Sequence, residues 1–314
     1  MTRYTNFNSI VRSKFDKRVQ KISINAGFTC PNRDGSKGRG GCTYCNNQTF
    51  VPGYCHPVKT ITQQVEEGIE FFNKNNKYED QHYLAYFQSY TNTYDSLEKL
   101  ESVYGEALRH PRVKGIVVGT RPDCVDERIL SYFAGLAREH YVMIEYGIES
   151  TNDETLERIN RGHDYQCAVD AIRLTASMGL AVGAHMILGL PGEDRDMILG
   201  HADRLSELPL NALKLHQLQL VRGTLMAKEA REHPDRFSFF SADSYIDLVI
   251  DFLERLNPAI AIERFVSQSP KEFLISPDWG LKNFEFVAKI EQRLEERNTF
   301  QGRLYPKTLL NGQA

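Results

Sequence analysis

The sequence has 314 residues, 41% of them apolar and 25% charged, with a formal net charge of −3. This length and apolar content support a real hydrophobic core in one large or two modest domains. The first residues lack the apolar stretch of a signal peptide, and no apolar run approaches the roughly 18 residues of a membrane helix. A membrane-spanning protein is therefore excluded, and we expect a cytoplasmic protein without a membrane partner.

Charge is unevenly distributed along the chain. Residues 1–45 contain nine Lys and Arg against two acids, a balance of +7, whereas the remainder has 29 basic and 39 acidic residues, a balance of −10. A basic segment of this kind suits a polyanionic substrate such as nucleic acid, because neutralised phosphates supply most non-specific affinity. A solvated basic arm, or positive charge that balances an anionic metal cluster, is the alternative.

Runs typical of strands alternate with helical periods through the first 219 residues. The predicted strands lie at 22–25, 83–87, 115–119, 142–146, 181–188 and 212–219. The predicted helices between them lie at 60–75, 96–110, 126–139, 152–179 and 193–207. Strands that recur about every 30 residues with intervening helices are typical of βαβ units, which form a parallel sheet with right-handed crossovers.

Six strands are too few for a closed eight-stranded barrel, so the pattern predicts an α/β fold with a partial (βα)6 TIM-like barrel. After residue 220 the pattern changes, with a further candidate strand at 259–265 and a charged helix at 282–298. We therefore predict a barrel domain at 1–220, which includes the basic arm and a cysteine loop, and a C-terminal α/β extension at 221–314 packed on it. Ligands of such sheets bind beyond the carboxyl ends of the strands.

Three of the six cysteines, Cys30, Cys42 and Cys45, lie within 16 residues in a C-x11-C-x2-C pattern directly after the first predicted strand. Four glycines and one proline separate the first two cysteines. Glycine loses backbone entropy in regular structure and proline lacks an N–H donor, so we expect a flexible loop here and neither a helix nor a packed strand. Such a loop would bring three thiolates to one point.

Three thiolates indicate a metal centre with an open position. A structural zinc site has four protein ligands, and cubane iron–sulfur clusters usually have four cysteines. A set of three leaves one iron open for chemistry. The alternative is a zinc site closed by Cys55 or His56, since C-x2-C with an outlying Cys or His is a common zinc pattern.

This cysteine pattern resembles that of the radical S-adenosylmethionine (SAM) enzymes, in particular the elongator-catalytic-subunit-like group of YhcC/YtqA-type proteins. The resemblance rests on residues 30–35, 41–45 and later runs at strand ends, and covers roughly residues 5–300. It implies a [4Fe–4S] cluster bound by Cys30, Cys42 and Cys45, with SAM on the open iron. Reduction by a donor such as flavodoxin or ferredoxin would then cleave SAM to methionine and a 5′-deoxyadenosyl radical.

The resemblance also implies SAM-binding residues at the ends of the predicted strands. Glu149 and Arg161 match positions that bind the SAM ribose hydroxyls and carboxylate, and Tyr44 matches an aromatic contact to adenine. Gln88 stands where relatives carry a glycine-rich turn for the SAM amino group, and its side-chain oxygen is an acceptor suited to the same role. The full set of implied contacts is Tyr44, Gln88, Thr120, Glu149, Ser150, Arg161 and Leu188.

The catalytic residues stay open at this point. Lys214 and His216 end the sixth predicted strand, and a similar run in elongator proteins assigns them to the substrate side. Cys124 is either a radical or substrate residue or a small apolar filler. Arg121 either binds a carboxylate through its two-pronged guanidinium or is the charged residue that precedes a turn.

For the substrate, the nearest resemblance implies tRNA, with the modified side chain of a wobble uridine as the specific hypothesis. The sequence shows neither an acetyltransferase domain after the barrel nor a second cysteine triad. We therefore expect neither a whole elongator-type enzyme nor a methylthiotransferase. Two alternatives remain, namely a radical SAM enzyme acting on a small molecule, as porphyrinogen oxidases do, and a zinc-bearing nucleic-acid-binding protein without catalysis.

Overall fold

The computed structural model of the chain describes residues 2–73 and 80–306. Its main sheet has seven strands, β1 (Val19–Ile24), β2 (His82–Phe87), β3 (Val113–Thr120), β4 (Tyr141–Glu149), β5 (Ala181–Leu188), β6 (Ala212–Gln217) and β8 (Ala261–Arg264). They pair in that order, each parallel to its neighbour. A short antiparallel pair, β7 (Leu220–Val221) and β9 (Leu274–Ser276), lies outside this sheet.

Helices connect the parallel strands, and further helices precede and follow the sheet. In chain order the helices are α1 (Phe7–Lys14), α2 (Pro31–Asp34), α3 (Ile61–Asn73), α4 (Leu97–Leu108), α5 (Glu127–Leu136), α6 (Asp153–Arg158), α7 (Tyr165–Ser177), α8 (Arg195–Ser206), α9 (Leu225–Glu232), α10 (Ala242–Arg255) and α11 (Asn283–Glu296). Side chains cap the start of several crossover helices, for example Ser96 before α4 and Asp194 before α8. In the described part of the chain, no helix is long and apolar enough to cross a membrane.

The prediction of a partial TIM-like barrel is confirmed. Within the described residues, β1 and β8 do not pair with each other, so the curled sheet is an open half-barrel. All six predicted strands are present, and the candidate at 259–265 supplies a seventh that pairs with β6. The helix predicted to end at residue 75 is described as far as Asn73, and its last two predicted positions lie outside the described residues.

Two apolar layers enclose the sheet. The main core lies between the outer face of the sheet and its crossover helices, with α10 packed against α8 and α11. A smaller core lies inside the curve of the half-barrel at the ends where the strands begin. There Phe7 and Val11 of α1 pack against Leu84, Met143 and inward-facing residues of neighbouring strands.

Side chains point alternately inward and outward along each strand, and this alternation determines which residues face the interior above the small core. On β4 the inward positions are Met143, Glu145 and Gly147, and on β6 they are Ala212 and Lys214 followed by a histidine. Because side chains alternate between the two faces of a strand, an apolar layer is followed by a charged layer and then by open space. The open space lies toward the carboxyl ends of the strands.

Candidate active site

A cavity of about 520 Å3 occupies the interior of the half-barrel at the carboxyl ends of the strands. Its walls include the cysteine loop and the ends of β6 and β8. Its lining brings together sequence-predicted residues from five separate parts of the chain, namely Cys30, Cys42, Tyr44, Cys45, Gln88, Thr120, Glu149, Arg161 and His216. This is the location that parallel α/β sheets use for ligands.

The cysteine loop is more ordered than the glycine content suggests. The expectation that it contains no helix is wrong, because α2 forms one helical turn directly after Cys30. Proline is tolerated there because the first helical residue has no N–H partner in any case. Gly35 ends the turn with a φ of 94°, and a Cβ at Gly38 would lie 2.1 Å from Asn32 Oδ1. The glycines therefore let the loop fold tightly on itself.

Polar donors surround the cysteine sulfurs. Asn32 Nδ2 lies 3.7 Å from Cys42 Sγ, and Asn47 Nδ2 lies 3.4 Å from Cys45 Sγ. Arg161 Nη1 approaches Cys42 Sγ to 3.5 Å. Burial raises the pKa of Cys45 to about 11, so a bound cation is needed to hold this residue as a thiolate. Donors of this kind stabilise the negative sulfur of an iron–sulfur cluster and tune its potential.

The same geometry bears on the zinc alternative. Within residues 2–73 and 80–306, no three His, Cys, Asp or Glu side chains converge as ligands of a single ion, which a tetrahedral zinc site would need. Cys55 is buried, donates to the Ser23 carbonyl at 2.7 Å and does not line the cavity. A four-iron cluster has no such requirement, because each cysteine binds a different iron. The donor set fits the cluster better than it fits zinc.

The end of β4 carries a distorted backbone beside the cysteines. Register shifts between Gly147 and Glu149, and Glu149 has a φ of 72°, which is unusual for a residue with a side chain. A Cβ at Gly147 would lie 2.4 Å from Glu149 Oε1 and 3.0 Å from Arg161 Nη2. Only glycine therefore lets this carboxylate and this guanidinium pack together over the strand. Strained residues of this kind cluster at ligand sites.

Two buried arginines lie beside these residues with unused donors. Arg161 donates from Nη2 to the Gly147 carbonyl, and its Nε has no partner among the described residues. Arg121 forms a two-pronged pair with Asp123 at 2.8 and 3.0 Å, and its Nη1 is also unpartnered there. Buried guanidinium groups with free N–H donors are suited to a ligand carboxylate. These two arginines therefore fit SAM, which carries a carboxylate.

Of the four other predicted SAM contacts, two line the cavity and two do not. Gln88 donates to the Phe50 carbonyl at 2.6 Å, and Thr120 Oγ1 lies 2.6 Å from Thr93 Oγ1. Ser150 is fully buried and donates to Glu193 at 2.5 Å, outside the cavity lining. Leu188 packs in the main core on the outer face of β5, whereas its neighbour Ile187 lines the cavity.

The floor of the cavity is a layer of four ionised side chains, which we call the charged layer: Lys21, Glu145, Lys214 and Glu263. Lys21 lies 2.9 Å from Glu145 and 2.7 Å from Glu263, while Lys214 lies 2.6 Å and 3.2 Å from the same two carboxylates. Burial alone would raise the pKa of Glu145, but the two lysines and His185 outweigh it and hold the pKa well below its usual range. The layer is neutral as a whole, because two cations face two anions.

Of the three catalytic candidates, Lys214, His216 and Cys124, His216 alone lines the cavity. Lys214 is engaged by Glu145, Glu263 and the Tyr86 hydroxyl, and it does not line the cavity. His216 lines the cavity and stacks on His185 with ring centroids 5.6 Å apart. Burial lowers the pKa of His216 well below 6.5, so its ring is neutral at pH 7. Cys124 is buried beside Asp123, outside the lining, and burial raises its pKa to about 12.

Sequence reasoning missed several residues of the site. Glu145, His185, Glu263 and Arg264 all line the cavity, and none was singled out from the sequence. The available signal was the pattern on β4 and β6, where polar residues recur at every second position of otherwise apolar strands. In a parallel barrel whose outer face is covered by helices, two-residue alternation of that kind indicates a polar interior.

Comparison with known proteins agrees with this geometry. A family model described as the Radical SAM superfamily matches residues 28–205, and one described as the Radical_SAM C-terminal domain matches residues 210–296. YtqA of Bacillus subtilis is 33% identical over 308 residues, covering 97% of this chain and 94% of that protein. YhcC of Escherichia coli is 32% identical over 291 residues, covering 92% of each chain. The chain therefore belongs to the radical SAM superfamily, in its elongator-like, YhcC/YtqA-type group.

More distant matches extend this relationship. The solved structure of an archaeal Methanocaldococcus infernus Elp3 with an N-terminal deletion superimposes with a TM-score of 0.66 at 15% identity, covering 90% of this chain and 64% of that one. A tRNA uridine(34) acetyltransferase of Dehalococcoides mccartyi is 25% identical over 206 residues, which is 65% of this chain and 42% of that protein. The chain is thus an enzyme of a family whose cofactors are SAM and a [4Fe–4S] cluster.

Proposed function

We propose that this enzyme modifies tRNA by radical chemistry at the side chain of a wobble uridine. The observation that carries the proposal is the similarity to an enzyme named for uridine 34 of tRNA, which extends over 206 residues of this chain. The cavity volume of about 520 Å3 is suited to a single nucleoside that has left its stack.

In this proposal Cys30, Cys42 and Cys45 hold the cluster, and the donors on their sulfurs stabilise its negative charge. When bound, cluster and SAM together supply a 5′-deoxyadenosyl radical, using an electron from a donor such as flavodoxin or ferredoxin. The chain's own task is to hold SAM and the substrate in position and to exclude water. The charged layer supports that task by closing the cavity floor with paired, fully satisfied side chains.

SAM binding is assigned to the end of the cavity nearest the cysteines. Arg161, supported by Arg121, would hold the SAM carboxylate with its unused N–H donors. Glu149 would accept from the ribose hydroxyls, with Tyr44 against the adenine. Gln88 and Thr120 line the same end, while Ser150 and Leu188 would act through the backbone or through neighbours, since their side chains point elsewhere.

The first test is the cleavage of SAM by anaerobically reconstituted protein with dithionite, scored as 5′-deoxyadenosine by mass. We expect product from the wild type and from Cys167→Ala, because Cys167 lies on α7 and outside the cavity lining. Cys42→Ala should bind less iron and fall to background, because a cluster ligand is lost. Equal product from Cys42→Ala would overturn the assignment of the cysteines.

The substrate is tested with tRNA from a strain that lacks this gene. Incubation with the reconstituted enzyme should change the mass of one nucleoside at the wobble position, and should do so only when SAM is present. Binding of tRNA should weaken steeply with salt, because phosphate contacts release counterions. If no nucleoside changes mass and tRNA binding is absent at low salt, the substrate is a small molecule of the kind that porphyrinogen oxidases use.

A further inference from the structure

One part of the cavity lining comes from the ends of β6 and β8 and the residues that follow them. Its polar side chains are His216, Gln217, Gln219, Arg264, Ser267, Gln268 and Ser269. None of them is among the SAM-binding residues assigned above. That assignment therefore leaves this region, which we call the distal end, to the substrate.

Arg264 differs from the other arginines that line the cavity. Arg33 donates to the Cys45 carbonyl at 2.8 Å, Arg121 pairs with Asp123, and Arg161 donates to the Gly147 carbonyl. Arg264 is exposed and lines the same cavity, and across the described residues no acceptor lies within hydrogen-bond or ion-pair distance of its guanidinium. Its N–H donors are therefore accessible to an anionic group of a ligand that enters the cavity.

The nearby carboxylates do not compensate Arg264. Glu263 precedes it in the chain but is paired with Lys21 and Lys214 at 2.7 and 3.2 Å. Glu145 is paired with the same two lysines. The charged layer is neutral by itself, so Arg264 adds an uncompensated positive charge at the distal end.

Neutral donors surround this charge. Gln219 accepts from Ser269 Oγ at 2.9 Å through its side-chain oxygen, which leaves its NH2 group without a partner in the described part of the chain. His216 carries a buried ring nitrogen, Nε2, that also lacks a partner there. Arg264 lies close enough to His216 to help keep that ring neutral. A cation with neutral N–H donors beside it matches the oxygen atoms of a phosphate or a carboxylate.

We infer that Arg264, His216 and Gln219 form a subsite that binds an anionic group of the substrate. The inference deepens the proposed function, on which it rests for the identity of that substrate. In a tRNA, the anion is either a backbone phosphate next to the modified uridine or a carboxylate on the uridine side chain. Either one would fix the reacting nucleoside at a constant distance from the SAM end of the cavity.

The test compares Arg264→Gln with Arg12→Gln, which removes the same charge from an exposed residue of α1, at the ends where the strands begin. Both are prepared as the full reconstituted chain, and binding of a labelled anticodon stem–loop RNA is measured across a salt series. We expect about a tenfold or greater loss of affinity for Arg264→Gln, the effect of removing a charged hydrogen bond, and none for Arg12→Gln. Arg264→Lys should recover only part of it, because lysine lacks the fork.

The salt series also separates the two sources of the anion. Loss of a phosphate contact lowers the slope of log affinity against log salt by about 1, whereas loss of a contact to a side-chain carboxylate leaves the slope unchanged. Equal affinities for the Arg264 and Arg12 variants would overturn the subsite. So would a loss of SAM binding by Arg264→Gln at unchanged RNA affinity, because Arg264 would then belong to the cofactor end.

A second measurement tests the anion subsite without RNA, so its result does not depend on the tRNA proposal. With SAM present to fill the other end of the cavity, inorganic phosphate should raise the melting temperature of the wild type and of Arg12→Gln, but not that of Arg264→Gln, at constant ionic strength. If the wild type binds no RNA yet shows this difference, the tRNA proposal fails and the anion subsite stands. If phosphate stabilises all three proteins equally, the subsite fails whatever the substrate is.

Discussion

Gly147 is the residue on which the predicted SAM contacts depend for their packing. Its missing side chain leaves room for the Glu149 carboxylate and the Arg161 guanidinium, which a Cβ would approach to 2.4 and 3.0 Å. Both of these residues were predicted from the sequence. The glycine between them was not, because nothing in a single sequence distinguishes a glycine that provides space from one that provides a turn.

Gly147→Ala should therefore damage SAM binding without unfolding the protein. We expect a cost of about 1–3 kcal/mol at the site, equivalent to about a tenfold or greater loss of SAM affinity, because both neighbours must move. Equilibrium dialysis of SAM against the reconstituted enzyme measures this. Gly200→Ala is the matched control, since a Cβ there meets nothing within 4 Å in the middle of α8, and it should leave affinity unchanged while slightly stabilising the helix.

At the level of elements, β4 and β6 build the cavity floor by alternation. Each strand presents an apolar residue, then a charged residue, then a residue of the cavity toward the interior. The helix α1 covers the apolar layer from below, and Lys21 lies over the Phe7 ring at 4.9 Å. The charged layer is thus held between a hydrocarbon layer and the site, where its ion pairs are shielded from water.

Glu145→Gln tests the charged layer through stability and its pH dependence. Removing one carboxylate leaves the buried Lys214 and the half-buried Lys21 with Glu263 as their one carboxylate partner, and we expect a loss of about 3–5 kcal/mol at neutral pH. The folded pKa of Glu145 is depressed, so its contribution is present above the ordinary value of 4.5 and is lost as pH falls toward the folded value. The urea stabilities of wild type and variant should therefore begin to converge as the pH falls below about 4.5, and should meet only below the folded pKa of Glu145.

The control for this experiment is Glu101→Gln, an exposed glutamate on α4. It should match the wild type at every pH, because its carboxylate gains no partner on folding among the described residues. A constant difference between wild type and Glu145→Gln down to the lowest pH would contradict the assigned protonation state of the charged layer.

At the scale of the whole molecule, the basic first 45 residues do not form one surface. Lys21 is half-buried in the charged layer, and Lys14 lies over the ring of Tyr141, the first residue of β4, at the edge where the strands begin. Lys37 and Arg39 are exposed residues of the cysteine loop at the opposite edge, and Lys37 also pairs with Asp123 at 3.1 Å. Residues 1–45 carry the positive charge counted from the sequence, but the fold distributes these basic side chains over two edges of the sheet and its interior.

Measurements of RNA binding should show which of these two edges of the sheet contacts the RNA. We expect Lys37→Gln with Arg39→Gln to weaken RNA binding and to lower its salt slope by about 1–2, because a substrate that reaches the cavity passes the cysteine loop. Arg12→Gln with Lys14→Gln removes the same charge from α1 and should leave both quantities unchanged. Fluorescence anisotropy with a labelled tRNA measures both, and the reverse result would place the RNA at the wrong edge for modification.

The sequence by itself determined the half-barrel and the radical SAM family, whereas its assignment of the three cysteines to a cluster stays a prediction. Strand and helix patterns depend on nearest neighbours, and three cysteines in C-x11-C-x2-C need only a loop to meet, so local information was sufficient. The short helical turn after Cys30 escaped prediction because a tight glycine loop resembles a flexible one in composition.

Only the tertiary structure decided what Lys214, His216 and Arg264 do. Lys214 and His216 are two residues apart on β6, yet Lys214 is saturated by Glu145 and Glu263 while His216 faces the cavity. Glu145 and Glu263 come from strands that are distant from β6 in the chain. Whether a residue of β6 is paired or free therefore depends on how the whole sheet is assembled. Charge pairing across a curved sheet is a long-range property, which is why the predicted SAM contacts could be named from the sequence, whereas the paired state of Lys214 and the cavity-facing position of His216 could not.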